Sequence, residues 1–122
     1  MSTAHPIGSI GTIMLGVKDL NASVDFYTRV LGLTVKLQSP VLALLDAGQV
    51  TLGLSPGHLR LAPQAAGAAE VVFHVPRVRT AQKELAGRGI TFLGEPGQAT
   101  ATEWVAHFRD PDGHLLSLFG PE

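Results

Sequence analysis

Ile13-Met14-Leu15-Gly16-Val17-Lys18-Asp19-Leu20 runs on through Val24, Tyr27 and Leu31 to Gly32-Leu33-Thr34-Val35. Ile13 to Val17 is short, apolar and compatible with a strand. Asp19 or Asn21 can cap a helix, because a short polar side chain accepts a bond from a free amide of the first turn. Leu20, Val24, Tyr27 and Leu31 then recur at helical spacing and define one apolar face. Gly32 stands where a helix ends in a left-handed residue, and Leu33-Thr34-Val35 begins a strand.

The same order returns later in the chain. Val71-Val72-Phe73-His74-Val75 is the strand, Val78, Ala81 and Leu85 mark the helix face, Gly87 or Gly89 stops it, and Ile90-Thr91-Phe92 begins the next strand. Each half also closes on a hairpin. In the first, Leu42 to Leu45 and Val50 to Leu54 flank a turn at Asp46 to Gln49. In the second, Trp104 to Phe108 and His114 to Leu118 flank Asp110-Pro111-Asp112-Gly113. Proline presets the turn dihedral, Asp bonds its own backbone and Gly tolerates positive φ. The expectation is an α+β single domain over residues 1–122, made of two tandem β-α-β-β-β repeats whose curved mixed sheets surround a concave cleft. Repeat one spans about residues 8–56 and repeat two about 69–120. The Pro-, Gly- and Ala-rich segment 57–68 connects them, and its Ala-rich part is a weak candidate for a short helix.

Composition bounds the function. The chain has 122 residues, 45% of them hydrophobic, and a formal charge of −1, which fits one globular domain and gives no basic surface for nucleic acid. There is no cysteine, which excludes disulfides and thiolate metal sites and fits a reducing compartment. No apolar run approaches the roughly 18 residues a membrane span needs, and Met1 to Gly11 lacks the pattern of a signal peptide. The expected location is cytoplasmic, with neither nucleic acid nor membrane as partner.

Three stretches carry a resemblance: Met14 to Leu20 with Ser23-Val24-Asp25-Phe26-Tyr27, then Val30-Leu31-Gly32-Leu33, and Phe108-Arg109-Asp110-Pro111-Asp112-Gly113-His114. In this order they resemble the vicinal-oxygen-chelate superfamily of glyoxalase I, extradiol dioxygenases, fosfomycin-resistance transferases and bleomycin-binding proteins. The resemblance covers nearly the whole chain and speaks for the fold more than for the chemistry. It implies four ligand positions on the first and last strands of each repeat, where metal-dependent members hold a divalent Lewis acid. Carried onto this sequence, those positions are Thr12, Gly53, Glu70 and Ser117. One carboxylate, two weak hydroxyls and a glycine make a poor cage, so no metal ligands and no cofactor are expected. The resemblance also implies small-molecule binding and a homodimer, side by side or strand-swapped, in which each pocket uses residues of both chains.

Strand alternation assigns the cleft. Val71, Phe73 and Val75 are wholly apolar and belong to the core, so Glu70, Val72 and His74 face the cleft, together with Leu115, Ser117 and Phe119. Thr12 and Met14 face in from the first strand and Gly53 from the first hairpin. Glu103, Val105 and His107 are placed inward as well, where fosfomycin-resistance members of the similar family carry a substrate-contacting tyrosine at the position of His107. Trp104 is assigned to the core, with stacking on an aromatic ligand as the other reading. Glu70 and His74 stand about 13 Å apart along their strand and cannot share one ion. His5, His58 and His114 are expected in solvent, and Asp110 to Gly113 to serve as turn chemistry. The expected function is binding of a small, largely hydrophobic or aromatic molecule without a preformed metal site. The alternative is a divergent lyase, isomerase or dioxygenase using Glu70 or His107; a module without a small ligand is the third reading.

Overall fold

The computed structural model describes residues 10–61 and 69–122. Repeat one contains β1 (Thr12–Gly16), α1 (Leu20–Asp25), β2 (Thr34–Ser39), β3 (Leu42–Asp46) and β4 (Thr51–Ser55). A short α2 (His58–Leu61) follows, and repeat two contains β5 (Glu70–His74), α3 (Val78–Gly87), β6 (Gly97–Gln98), β7 (Trp104–Arg109) and β8 (Leu115–Gly120). Each repeat forms its own four-stranded mixed sheet, in the orders β1-β4-β3-β2 and β5-β8-β7-β6. The first strand pairs parallel with the last, and the remaining pairs are antiparallel. Met14 lies opposite Gly53 in one sheet and Val72 opposite Ser117 in the other, so the registers of the two repeats correspond.

Local chemistry accounts for most of these bounds. Asp19 is the helix cap, its carboxylate accepting from the Ala22 amide at 3.1 Å. The helix face expected at Leu20, Val24, Tyr27 and Leu31 does meet the core, but through a change of winding. After Asp25 the chain makes a π-helical turn over Phe26–Val30, in which the Leu31 amide donates to the Phe26 carbonyl at 3.1 Å. Gly32, at φ +89°, ends it. In α3, Arg77 at the cap position makes no side-chain cap bond; the Val78 amide donates instead to the Pro121 carbonyl at 2.8 Å.

One expectation of local structure is corrected. Ile90-Thr91-Phe92 is not a strand; the second strand of this repeat shrinks to Gly97–Gln98. Gly89 and Gly94 both take positive φ, which turns the chain out of the extended path. Pro96 brings no amide to a ladder. Ile90 is nevertheless buried in the core. In the connection, a short helix forms at His58–Leu61. Most of the Ala-rich part falls in residues 62–68, outside the described residues, as does His5.

One core unites both repeats. Val17, Tyr27, Leu45 and Leu54 from the first and Val78, Phe108, Leu116 and Leu118 from the second are all buried in one cluster, with Val71, Phe73 and Val75 packed against it. The turn Asp110-Pro111-Asp112-Gly113 ties the repeats together. Asp110 accepts from the Tyr27 hydroxyl at 2.8 Å and from the His114 amide at 2.8 Å. Asp112 accepts from the Lys18 amide at 2.8 Å and the Ser23 hydroxyl at 3.1 Å. His114, expected in solvent, is 8% exposed, and its Nε2 lies 2.7 Å from the Gly16 carbonyl oxygen. The turn is a clamp as well as a turn, because Asp110 and His114 are buried and Asp112 half-buried against the other repeat, and all three find partners there. No helix among the described residues is long and apolar enough to cross a membrane.

Candidate functional site

The face of the second sheet turned away from the core is a shallow cup. Pairing across β5, β8 and β7 lays its residues in rows: Glu70 with Leu115 and Arg109, then Val72 with Ser117 and His107, then His74 with Phe119 and Val105. A cavity of about 490 Å³ opens over this face, lined by Glu70, Val72, His74, Val105, His107, Ser117 and Phe119, with Ala99 at its rim. Seven of those eight residues follow from strand alternation. Ala99 comes from the loop before β7, for which alternation gives no rule.

The lining is apolar except at one end and on the floor. Val72 is 43% exposed, unusual for a valine, and offers its side chain to whatever enters. The His74 and Phe119 rings lie 5.5 Å apart at 35°, making an aromatic wall. At the polar end His107 Nδ1 stands 2.9 Å from Glu70 Oε2. The two atoms are in contact, but the carboxylate oxygen lies off the ring N–H direction, so Nδ1 is buried without a proper hydrogen bond. Ser117 Oγ on the floor is likewise buried without a partner. A buried polar atom without a partner costs about 1–3 kcal/mol, so the polar end and the floor of the cup carry unmet hydrogen-bonding capacity.

A second cavity, about 540 Å³, lies between the repeats beside β1 and β5. Met14, Gly16, Lys18, His58, Leu59, Glu70 and Leu115 contribute to its lining. Met14 and Leu115, expected in one cleft with His107, therefore line this neighbouring space, and Glu70 borders both. Three residues expected in the cleft line neither cavity. Thr12 is exposed at the start of β1. Gly53 is buried under other side chains. Glu103 lies in the turn before β7, where its carboxylate accepts from the Thr100 hydroxyl at 3.0 Å. Trp104 belongs to the helix side, with the Arg79 guanidinium 5.2 Å from its ring centre.

The four positions at which the family holds a metal can now be tested against geometry. A side chain at Gly53 would run into Met14 Sδ, with Leu44 Cδ2 3.3 Å away, so that position is filled by a thioether and a leucine methyl. Thr12 and Ser117 offer only neutral hydroxyls, and Glu70 alone is anionic. Among the described residues no three His, Asp or Glu side chains converge. These residues do not fit a catalytic divalent ion, which needs about three good ligands and an open position.

Residues 9–118 match the family model described as Glyoxalase/Bleomycin resistance protein/Dioxygenase superfamily. Among solved structures, a glyoxalase/bleomycin resistance protein/dioxygenase from Nocardioides is 26% identical, with a TM-score of 0.76 over 98% of this chain and 86% of that one. TnmS3, an antibiotic-binding protein from Streptomyces sp. CB03234, is 20% identical with a TM-score of 0.79, over 98% of this chain and 100% of that one. A lactoylglutathione lyase from Agrobacterium tumefaciens is 21% identical with a TM-score of 0.78, over 94% and 95% of the two chains. At such identities the last two speak for the fold alone, and they stand on opposite sides of the line between binding and catalysis. No curated protein matches the sequence.

Proposed function

Because this chain belongs to the glyoxalase/bleomycin resistance protein/dioxygenase superfamily, we propose that it works by the family's small-molecule side without its metal. It holds a small, largely hydrophobic or aromatic compound in the cup of the second sheet and uses no cofactor. One observation carries this reading. The cup offers apolar side chains and an aromatic wall with polar groups at one end and Ser117 on the floor, the usual make-up of a ligand pocket, while the Gly53 position is closed by Met14. The absence of cysteine fits the reducing, cytoplasmic location that belongs to this proposal. No feature of the site calls for nucleic acid or membrane as a partner.

Metal analysis of protein purified without chelator, paired with a thermal-shift screen of aromatic compounds, tests this. The expected result is far less than one transition metal per chain and a stabilising hit. A ligand at 100 times its Kd adds about 2.7 kcal/mol. About one bound Zn, Ni, Fe or Mn per chain would overturn the metal-free reading. An enzymatic reading, with Glu70 or His107 as a base, is favoured by their 2.9 Å contact. Turnover of a screening hit, rather than simple binding, would establish it.

A homodimer belongs to the same proposal. The β2 strand is an exposed edge: Leu37 is 52% exposed on it and Val41, just beyond, is 70% exposed. Unpaired edges with apolar side chains favour association. Light scattering at micromolar concentration is expected to give twice the chain mass, and a monomer mass that does not vary with concentration would refute the dimer.

A further inference from the structure

We infer that the helix side of the molecule holds a second small-molecule site, separate from the cup, whose ligand is an apolar ring carrying an uncharged carboxamide. A cavity of about 370 Å³ lies between the end of the π-helical turn, α3 and the helix-side face of β5. Leu31, Phe73, Val75, Ala81, Leu85 and Leu118 make its apolar wall, and the exposed side chains of Glu84 and Arg88 bring its charge. His74 is the one residue of this lining that also lines the cup. The repeat explains why the space exists. Because the registers of the two sheets correspond, Leu15 matches Phe73 and Val17 matches Val75, and the same offset carried along the helices matches Tyr27 with Leu85. Leu15, Val17 and Tyr27 are buried, the Tyr27 ring reaching across to Asp110. Phe73, Val75 and Leu85 are only half-buried. A leucine stands where the first repeat has a tyrosine, so the helix-side floor of β5 is left without the ring that covers β1. Core side chains facing such a gap lack dispersion partners and keep apolar area in water, and a ring seated there relieves both.

The charged pair selects the head group. Arg88 Nη1 donates to the Val30 carbonyl at 2.8 Å and Nη2 to Glu84 Oε2 at 2.6 Å. The other guanidinium N–H groups and Glu84 Oε1 make no hydrogen bond among the described residues, so a donor and an acceptor stand side by side along the cavity. A carboxamide matches both, its oxygen accepting from Arg88 and its N–H donating to Glu84. For a carboxylate the attraction of Arg88 is offset by Glu84, and for an ammonium the attraction of Glu84 is offset by Arg88. A bare hydrocarbon gains nothing from either group. The ring then lies against Phe73, Leu85 and Leu118.

The test compares 2-naphthamide with 2-naphthoate by equilibrium dialysis at low ionic strength, where exposed charges act most strongly. Each affinity is measured on the parent and on Val72→Asp, whose new carboxylate spoils the cup; binding common to both proteins reports the helix side. There the amide is expected to bind about threefold or more tightly than the carboxylate, the scale of an exposed charge contact. Glu84→Gln removes the repulsion and should narrow that gap. Leu85→Phe restores an aromatic ring at the position matching Tyr27 and should abolish the binding. Ala81→Leu fills the same space from the preceding turn of α3 and takes over the test where Leu85→Phe fails to fold. No amide binding in Val72→Asp, undiminished binding in the filling variants, equal affinity for amide and carboxylate, or a gap that Glu84→Gln leaves unchanged would each overturn the inference. None of these outcomes touches the cup, whose ligands are those that Val72→Asp expels.

Discussion

Asp110→Ala is expected to destabilise the protein by about 3–5 kcal/mol, although Asp110 lies far from any chemistry. Asp110 is 5% exposed, and Tyr27, whose hydroxyl it accepts, is fully buried. The same carboxylate accepts the amides of Asp112 and His114 at 2.9 and 2.8 Å, which sets the turn that carries Asp112 and His114 to the first repeat. Removing it leaves a buried phenol and two turn amides unsatisfied at once, each worth about 1–3 kcal/mol. It also loosens the bonds from Asp112 and His114 to Lys18, Ser23 and Gly16. In a domain of this size the loss corresponds to roughly 10–20 °C in Tm. Tyr27→Phe removes only the donor and should cost about 1 kcal/mol, because Asp110 keeps its two amides. Urea unfolding of both variants checks the pair. An Asp110→Ala midpoint equal to that of the parent would show that the clamp is not what joins the repeats.

The same contact has a pH signature. Burial first, and then the negative charge of Asp110, push the Tyr27 hydroxyl far above its ordinary value near 10. In the unfolded chain Tyr27 ionises near that ordinary value, whereas the native state keeps the proton. The stabilisation is therefore complete below about pH 10 and falls as pH rises beyond it. Tyr27→Phe should flatten that alkaline slope.

Gly120→Ala is the second large effect, about 3 kcal/mol or more. Gly120 closes β8, and a Cβ there would land on the Val75 carbonyl oxygen, well inside contact distance. Val75 is fixed in turn, because its amide donates to the Phe119 carbonyl at 2.9 Å. Backbone cannot step aside as a side chain can, so the link from β5 to α3 would have to peel off the sheet. Gly53→Ala is the control: its Cβ meets the end of Met14, which has three rotatable bonds to turn away, and should cost less than about 1.5 kcal/mol. Thermal melts rank the two. A Gly120→Ala protein as stable as Gly53→Ala would refute the backbone-contact argument.

Sequence alone determined the repeat, because its two periodicities are local. Alternation along β5, β7 and β8 also sorted cup from core, since a strand cannot turn one side chain without turning its neighbours. That is why Val72, Val105, His107, Ser117 and Phe119 could be named before any coordinates. Only the tertiary structure decided how the cleft divides into two cavities, with Met14 and Leu115 beside one, His107 in the other and Glu70 bordering both. It alone placed Met14 over Gly53, and it buried His114 and the Asp110 carboxylate against the first repeat. Those outcomes depend on which surfaces of distant segments meet. A histidine in a turn carries no local sign that a carbonyl from about 98 residues away will fill its hydrogen-bonding capacity. The failed strand at Ile90–Phe92 lies between these cases: its apolar run was local and visible, but the positive φ of Gly89 and Gly94 was set by the path the chain must take to bring Ile90 into the shared core.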